Sequence, residues 1–229
     1  MSDATTTPFI NPPCEDVVQI HFADPHLLLV DKPAGLLSVP GRHPDNQDCL
    51  ISRLQEDYRD ALIVHRLDMA TSGLMVVARG KASHRHLSKQ FQQRQVEKEY
   101  RARLFGEVAA EQGYIDLPLA CDWPRRPRQH INFSDGKAAQ THFRRLAIND
   151  GSSDVLLMPH TGRSHQLRVH AAAIGHPILG CEFYAHPQAR RLSDRLLLHS
   201  SRLCFIHPDS GEMLDFHSPP PFSAAGSIG

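Results

Sequence analysis

The sequence predicts an α+β fold in which strands outnumber helices, and three observations carry that expectation. Short apolar or alternating runs recur along the chain, bounded by Gly, Pro, Asn and Asp. Only three stretches read as helices. The regular strand–helix–strand alternation of a parallel α/β sheet does not occur.

Val17–Phe22 and His26–Val30 read as two short strands around an Asp24-Pro25 turn, which makes a hairpin the simplest arrangement. Pro33, Gly35, Pro40 and Gly41 punctuate a loop. Leu50, Ile51, Leu54 and Tyr58 then share a helical face over Asp48–Tyr58. Gly73–Ala78 is an unbroken apolar, β-branched run, the pattern of a strand buried on both faces. Lys81–Arg94 is charged and helical. Lys98–Phe105 alternates, with Tyr100, Ala102 and Leu104 on one face and Arg101 and Arg103 on the other. Ala138–Ile148 and Val155–Met158 complete the strands, and Ser164–Ile174 forms a helix closed by Gly175 and Pro177. Residues 1–16 are expected as a flexible polar tail, 17–217 as one folded domain and 218–229 as a C-terminal tail.

At 229 residues and 41% hydrophobic, the chain can bury a core without staples. The five cysteines are scattered, with no C-x-x-C pair, which fits incidental thiols in a reducing compartment. No run approaches the roughly 18 to 20 apolar residues needed to span a bilayer, and the N-terminus has no signal-peptide pattern. A cytoplasmic protein is expected. Formal net charge is zero, yet the charges are segregated: Arg79–Arg103 carries eight basic and two acidic residues, and Asp122–Arg145 six and two. A polyanion responds to a local field and not to the total, so two basic blocks are candidate nucleic-acid surfaces, although ordinary solvated faces would look the same.

Two segments carry chemistry. In His65-Arg66-Leu67-Asp68-Met69-Ala70-Thr71-Ser72-Gly73, an aspartate lies in a tight polar loop just before the apolar strand. Read alone, Asp68 is more readily an Asx-turn residue than a catalytic one. In His160-Thr161-Gly162-Arg163-Ser164-His165-Gln166-Leu167-Arg168-Val169-His170, a glycine turn feeds a helix N-terminus, which binds anions readily. The sixteen histidines raise a zinc hydrolase as a competing idea. No H-E-x-x-H occurs, however, and His165 and His170 diverge by about 140° on a helix.

Together, H-R-L-D-x-x-T-S-G, the K-x-Y of Lys98-Glu99-Tyr100 and T-G-R-x-H-Q-L-R at Thr161–Arg168 resemble the three main motifs of the pseudouridine synthases related to ribosomal large-subunit pseudouridine synthase A, and they occur in that family's order. The likeness extends through Asp31–Leu36, Leu37–Arg42, Leu119–Pro127, Gly175–Gly180 and Arg195–His199, roughly residues 17 to 217.

The resemblance implies a long, bent, mostly antiparallel sheet flanked by helices and loops, with the active-site cleft across its middle and no N-terminal S4 domain. It implies isomerisation of uridine without cofactor or metal. Asp68 would be the nucleophile or base, Arg163 its ion-pair partner, and Tyr100 a ring stacked on the target base. Arg66 would fill the space of the displaced base. His65, Thr71, Arg94, Lys98, Gln166 and Arg168 are further candidate RNA contacts, with Arg125, Arg126 and Arg128 of the second basic block. Implied partners are tRNA anticodon stem-loops and a hairpin of 23S rRNA, with the protein acting as a monomer. A related synthase for other uridines, or an inactive RNA-binding protein on the same fold, are the alternatives.

Overall fold

A computed structural model of the chain describes residues 10–222; the remainder of both expected tails lies outside the described residues. In chain order the elements are β1 (Gln19–Ala23), β2 (Leu27–Lys32), α1 (Leu50–Asp57), β3 (Ala61–Ile63), β4 (Ser72–Arg79), α2 (Gly80–Gln92), β5 (Glu97–Phe105), β6 (Gln112–Asp116), β7 (Leu119–Cys121), β8 (Gln129–Ile131), β9 (Gln140–Asn149), β10 (Ser152–Pro159), α3 (Gln166–Ala173), α4 (Pro187–Arg191), β11 (Leu198–Ile206) and β12 (Met213–His217). Ten of these strands form one sheet with the path β1-β2-β4-β11-β5-β10-β9-β6; β12 pairs with β11, and β3 with β4. Strands β7 and β8 make a separate small hairpin. The α+β expectation and the mostly antiparallel sheet are both observed, and the hairpin of β1 and β2 turns where Asp24 and Pro25 sit, with the Asp24 carboxylate accepting from the N–H groups of His26 and Leu27.

The apolar run predicted as a doubly buried strand is one. In β2 and β4 alternate residues face opposite layers: Leu28, Val30, Met75 and Val77 pack with Leu50, Ile51 and Leu54 of α1, whereas Leu27, Leu29, Leu74, Val76 and Ala78 pack with Leu87 of α2. At roughly 1.5–3 kcal/mol for each large side chain buried, these two layers account for why this end of the sheet is fixed in register. A third layer joins β5, β10 and β11 to Leu167 and Ala171 of α3.

The one parallel strand pairing among the described residues of the sheet, β4 with β11, lies near its centre, where Ser72 and Gly73 face His199 and Ser200. Gly73 has φ +114°, and a Cβ there would lie 2.3 Å from the Ser200 carbonyl oxygen. Only glycine permits this approach. The next strand over, β5, brings Tyr100 opposite Ser200. The start of β4, the start of β11 and the middle of β5 are thereby neighbours.

The described parts of the expected tails are tied to the body. Asn11 donates from its backbone to Asn46 and from its side chain to the Gly35 carbonyl, and Arg53 donates to the carbonyls of Cys14 and Asp16. At the other end Ser218 is buried, donating to Asp31 and contacting His199, and Phe222 packs on the third core layer. No helix among the described residues is long and apolar enough to cross a membrane.

Candidate active site

The loop before β4 is gripped from beneath by the loop after β2. Ser38 Oγ donates to the Leu67 carbonyl at 2.8 Å and accepts from the Leu67 N–H at 3.2 Å. Lys32, fully buried, donates to the carbonyls of Pro33 (2.7 Å), Leu36 (2.8 Å) and Met69 (3.1 Å), and the Gly35 N–H adds a second bond to Met69 at 2.8 Å. Burial draws the Lys32 ammonium down to about 7, and Cys14 and Asp68 oppose that shift. Asp68 therefore sits between two clamped residues. Its backbone carbonyl accepts from the Thr71 N–H, closing a tight turn, while its side chain leaves that turn altogether. The Asx-turn alternative does not describe this carboxylate.

Instead the carboxylate points at α3. Arg168 Nη1 lies 3.4 Å from Asp68 Oδ2, and His165 Nε2 lies 3.8 Å from the same oxygen. Arg168 is buried, with its Nε donating to Cys181 Sγ and its guanidinium carbon 5.1 Å from the Phe183 ring centre and 5.4 Å from that of Tyr184. A planar cation set against two aromatic rings and hydrogen-bonded at both its Nε and an Nη is a fixed counter-charge. The expectation that Arg163 pairs with Asp68 is corrected: Arg163 precedes the helix, and its Nε donates to the Ala138 carbonyl at 3.0 Å. Arg168, on the first turn of α3, reaches the carboxylate because that turn faces the start of β4.

Gln166 is also corrected. Its amide oxygen accepts from Thr161 Oγ1 (2.8 Å) and the Arg163 N–H (3.0 Å), and its nitrogen donates to the Gln140 carbonyl (2.9 Å) and Thr141 Oγ1 (3.0 Å). All four hydrogen bonds of a side-chain amide are thus made within the protein, which leaves none for RNA. It is the peg that holds the 160–166 loop to β9. His65 is likewise committed to the fold: it accepts from the Val76 N–H and stacks on Phe91 with ring centres 4.3 Å apart, and burial brings its pKa to about 3.

These side chains border a cleft of about 560 Å³ whose wall includes His65, Arg66, Asp68 and Thr71 from one side, Arg94, Lys98 and Tyr100 from another, and Arg163, Gln166 and Arg168 from a third. Arg66 is exposed there and makes no hydrogen bond or ion pair to a described residue. Tyr100 packs against two core layers at once, and burial, with the Asp68 charge adding to it, pushes its phenol up to about 12. Burial and the nearby Arg94 lower the Lys98 ammonium. Arg125, Arg126 and Arg128 stand outside the cleft, on the connection from β7 to β8: Arg125 is paired with Asp122 at 2.7 Å, Arg126 lies 3.6 Å over the exposed Trp123 ring and Arg128 5.5 Å from the Phe183 ring centre. The sequence reading considers His165 only within its motif and as half of a rejected metal pair, and does not single out Phe183 or Tyr184. His165 stands inside a motif dominated by its arginines, and the two aromatics follow it by some twenty residues in an irregular segment without a chemical signature.

A buried cation, a clamped aspartate and a neutral tyrosine around one cleft form the centre of the molecule, and comparison with known proteins places that centre in a family. Residues 26–173 match the family of RNA pseudouridylate synthases, and the chain belongs to it. Among its relatives, the dual-specificity RNA pseudouridine synthase RluA of Yersinia pestis is 53% identical over 85% of this chain and 95% of its own, and that of Escherichia coli K12 is 49% identical over 93% and 97%. A solved structure, human RNA pseudouridylate synthase domain containing 1, superposes with a TM-score of 0.76 at 29% identity, covering 93% of this chain and 88% of that one.

Proposed function

We propose that the chain isomerises uridine to pseudouridine in tRNA anticodon stem-loops and in a hairpin of 23S rRNA, with Asp68 as the nucleophile or base. The observation that carries this reading is the Asp68 carboxylate, held between two clamped residues at the edge of the cleft and faced by the buried Arg168. The two RNA classes are those the resemblance implies, and the dual specificity named for the relatives supports a range of more than one RNA.

The reaction breaks the bond from N1 to C1′, turns the base and forms a bond from C1′ to C5; the C5 hydrogen leaves as a proton and N1 gains one. Electrons and water balance without a co-reactant, so no cofactor is expected. Asp68 would either attack the sugar carbon or take the C2′ proton. Both donors near it face Oδ2, and among the described residues no hydrogen bond reaches Oδ1. Tyr100 remains a neutral phenol at pH 7 and would accept the C5 proton only while passing on its own. A uridine in a folded stem must leave its stack to reach the cleft, and the unpartnered Arg66 guanidinium is suited to the space it vacates. The cytoplasm, where such RNAs are found, is the proposed site of action.

The direct test is tritium release from a 5-tritiated anticodon stem-loop that folds in monovalent salt. The purified protein should release tritium with EDTA in excess. Loss of activity under EDTA and its return with added zinc would replace this reading by a metal-dependent one.

The arginines outside the cleft bear on docking. Phosphate contacts position RNA without reading sequence, and replacing Arg125, Arg126 and Arg128 by Ala should weaken binding and flatten its salt dependence, by about 0.7–0.9 counterions for each phosphate no longer neutralised. Arg125 is already paired with Asp122, so Arg126 and Arg128 should contribute most of the change. Saturating single-turnover rates should move much less. An unchanged salt slope would make this face an ordinary solvated one.

A further inference from the structure

The segment after α3 places a tyrosine hydroxyl against the far side of the histidine that faces Asp68. Tyr184 Oη lies 2.6 Å from His165 Nδ1 and accepts from the backbone N–H of Gln129, in β8, at 2.8 Å. His165 is the residue before α3, in the left-handed backbone region at φ 56°, with its ring stacked on Phe183 at a 21° interplanar angle. That packing leaves the two ring nitrogens pointing one at Tyr184 and the other at Asp68.

We propose that Tyr184 is a positioning residue of the reaction: its hydroxyl donates to His165 Nδ1 and fixes the imidazole as the tautomer whose Nε2–H is aimed at the Asp68 carboxylate. The inference rests on the proposed role of Asp68. A phenolic oxygen has one proton and one good in-plane acceptor direction. The Gln129 N–H occupies the acceptor direction, so the proton is what remains for Nδ1. The opposite tautomer would crowd two N–H donors onto one phenolic oxygen, leave the hydroxyl proton without an acceptor among the described residues, and turn a ring lone pair toward a carboxylate. Burial agrees with a neutral pair, pulling His165 down to about 4 against the pull of Asp68 and pushing Tyr184 up to about 12. The groups facing the imidazole are Asp68, Tyr184, Phe183 and, through Asp68, Arg168. At 3.8 Å the Nε2 contact with Oδ2 is longer than a hydrogen bond. Closing by less than about 1 Å as RNA fills the cleft would complete it, in keeping with the tightening of such bonds in Michaelis complexes. The hydroxyl also ties the site to β8, so the hairpin bearing the outer arginines is bonded to the histidine that faces Asp68.

Long-range proton–nitrogen NMR on the full chain tests the assignment without using activity, with the His165 signals identified by their loss in His165→Gln. The wild-type protein should show a protonated Nε2 and a bare Nδ1; a predominant Nδ1–H form would overturn the proposal, whatever Asp68 does. Tyr184→Phe should give a mixture of tautomers and slow saturating single turnover by about tenfold, the scale of one hydrogen bond, with RNA affinity within about twofold. In a His165→Gln background, where the amide N–H no longer depends on a tautomer, adding Tyr184→Phe should cost little. The same tenfold loss in both backgrounds would make Tyr184 merely structural, and an unchanged rate in a folded Tyr184→Phe would end the proposal. Should Asp68→Asn stay active, the proposed role of Asp68 fails while the tautomer result stands.

Discussion

Replacing Asp68 by Asn should reduce tritium release on the order of 10⁴-fold or more, the scale of loss when a nucleophile is removed, while RNA affinity changes little. The amide keeps the shape of the carboxylate, and its oxygen can still accept from Arg168 Nη1, now 3.4 Å from Oδ2. It can neither attack carbon nor take a proton. Because the turn is held through backbone atoms of Leu67, Asp68 and Met69, the substitution leaves those clamps in place, so the thermal midpoint should move only slightly. Release measured under single-turnover conditions, alongside a binding titration with the same stem-loop, separates the two effects. Near-wild-type release would remove Asp68 from the chemistry.

The elements legible in the sequence are those whose local pattern and tertiary role coincide. The run at 73–78 is apolar at every position because both faces of β4 are covered, and the alternation over 98–105 survives because β5 packs one face on the third core layer and turns Arg103 to Asp154 on the other. The small strands are not legible: β7 and β8 have three residues each, too few for a period, and in β6 only Ile115 is buried. β11 escapes sequence reading for another reason. Its Leu-rich start continues into Ser200, Ser201 and Arg202, polar residues that are either buried by neighbouring strands or, for Arg202, paired with Glu97, Glu99 and Asp215.

The site divides in the same way. Asp68 and Tyr100 are recognisable because each lies in a motif and in the cleft. The partner of Asp68 is not readable from its motif, which offers two arginines five residues apart, and spacing does not reveal which one is buried. That choice is made by Phe183, Tyr184 and Cys181, which arrive from a later, irregular segment and stack on or bond to Arg168 rather than Arg163. Gln166 illustrates the converse: a polar residue in a catalytic motif whose full hydrogen-bonding capacity is spent inside the fold.

The two arginines consequently exchange roles in their expected effects. Arg168→Lys should lower the single-turnover rate by about 10²–10³-fold, comparable with removal of a preorganised charge-stabilising donor. The ammonium retains the charge, but it is compact and strongly hydrated, and it has no planar face to set against the Phe183 and Tyr184 rings and no fork to reach both Cys181 Sγ and Asp68 Oδ2. Its burial without those partners should also lower the thermal midpoint. Arg163→Lys should leave the rate within about fivefold, because losing one bond to the exposed Ala138 carbonyl is an effect of at most about 1 kcal/mol; its main consequence should be weaker RNA binding at the mouth of the cleft. Both variants are to be assayed at saturating enzyme with one stem-loop, with melting curves recorded in parallel. A larger rate loss for Arg163→Lys than for Arg168→Lys would mean that the guanidinium acting on the carboxylate during the reaction is not the one that faces it at rest, and that the 160–166 loop moves when RNA binds.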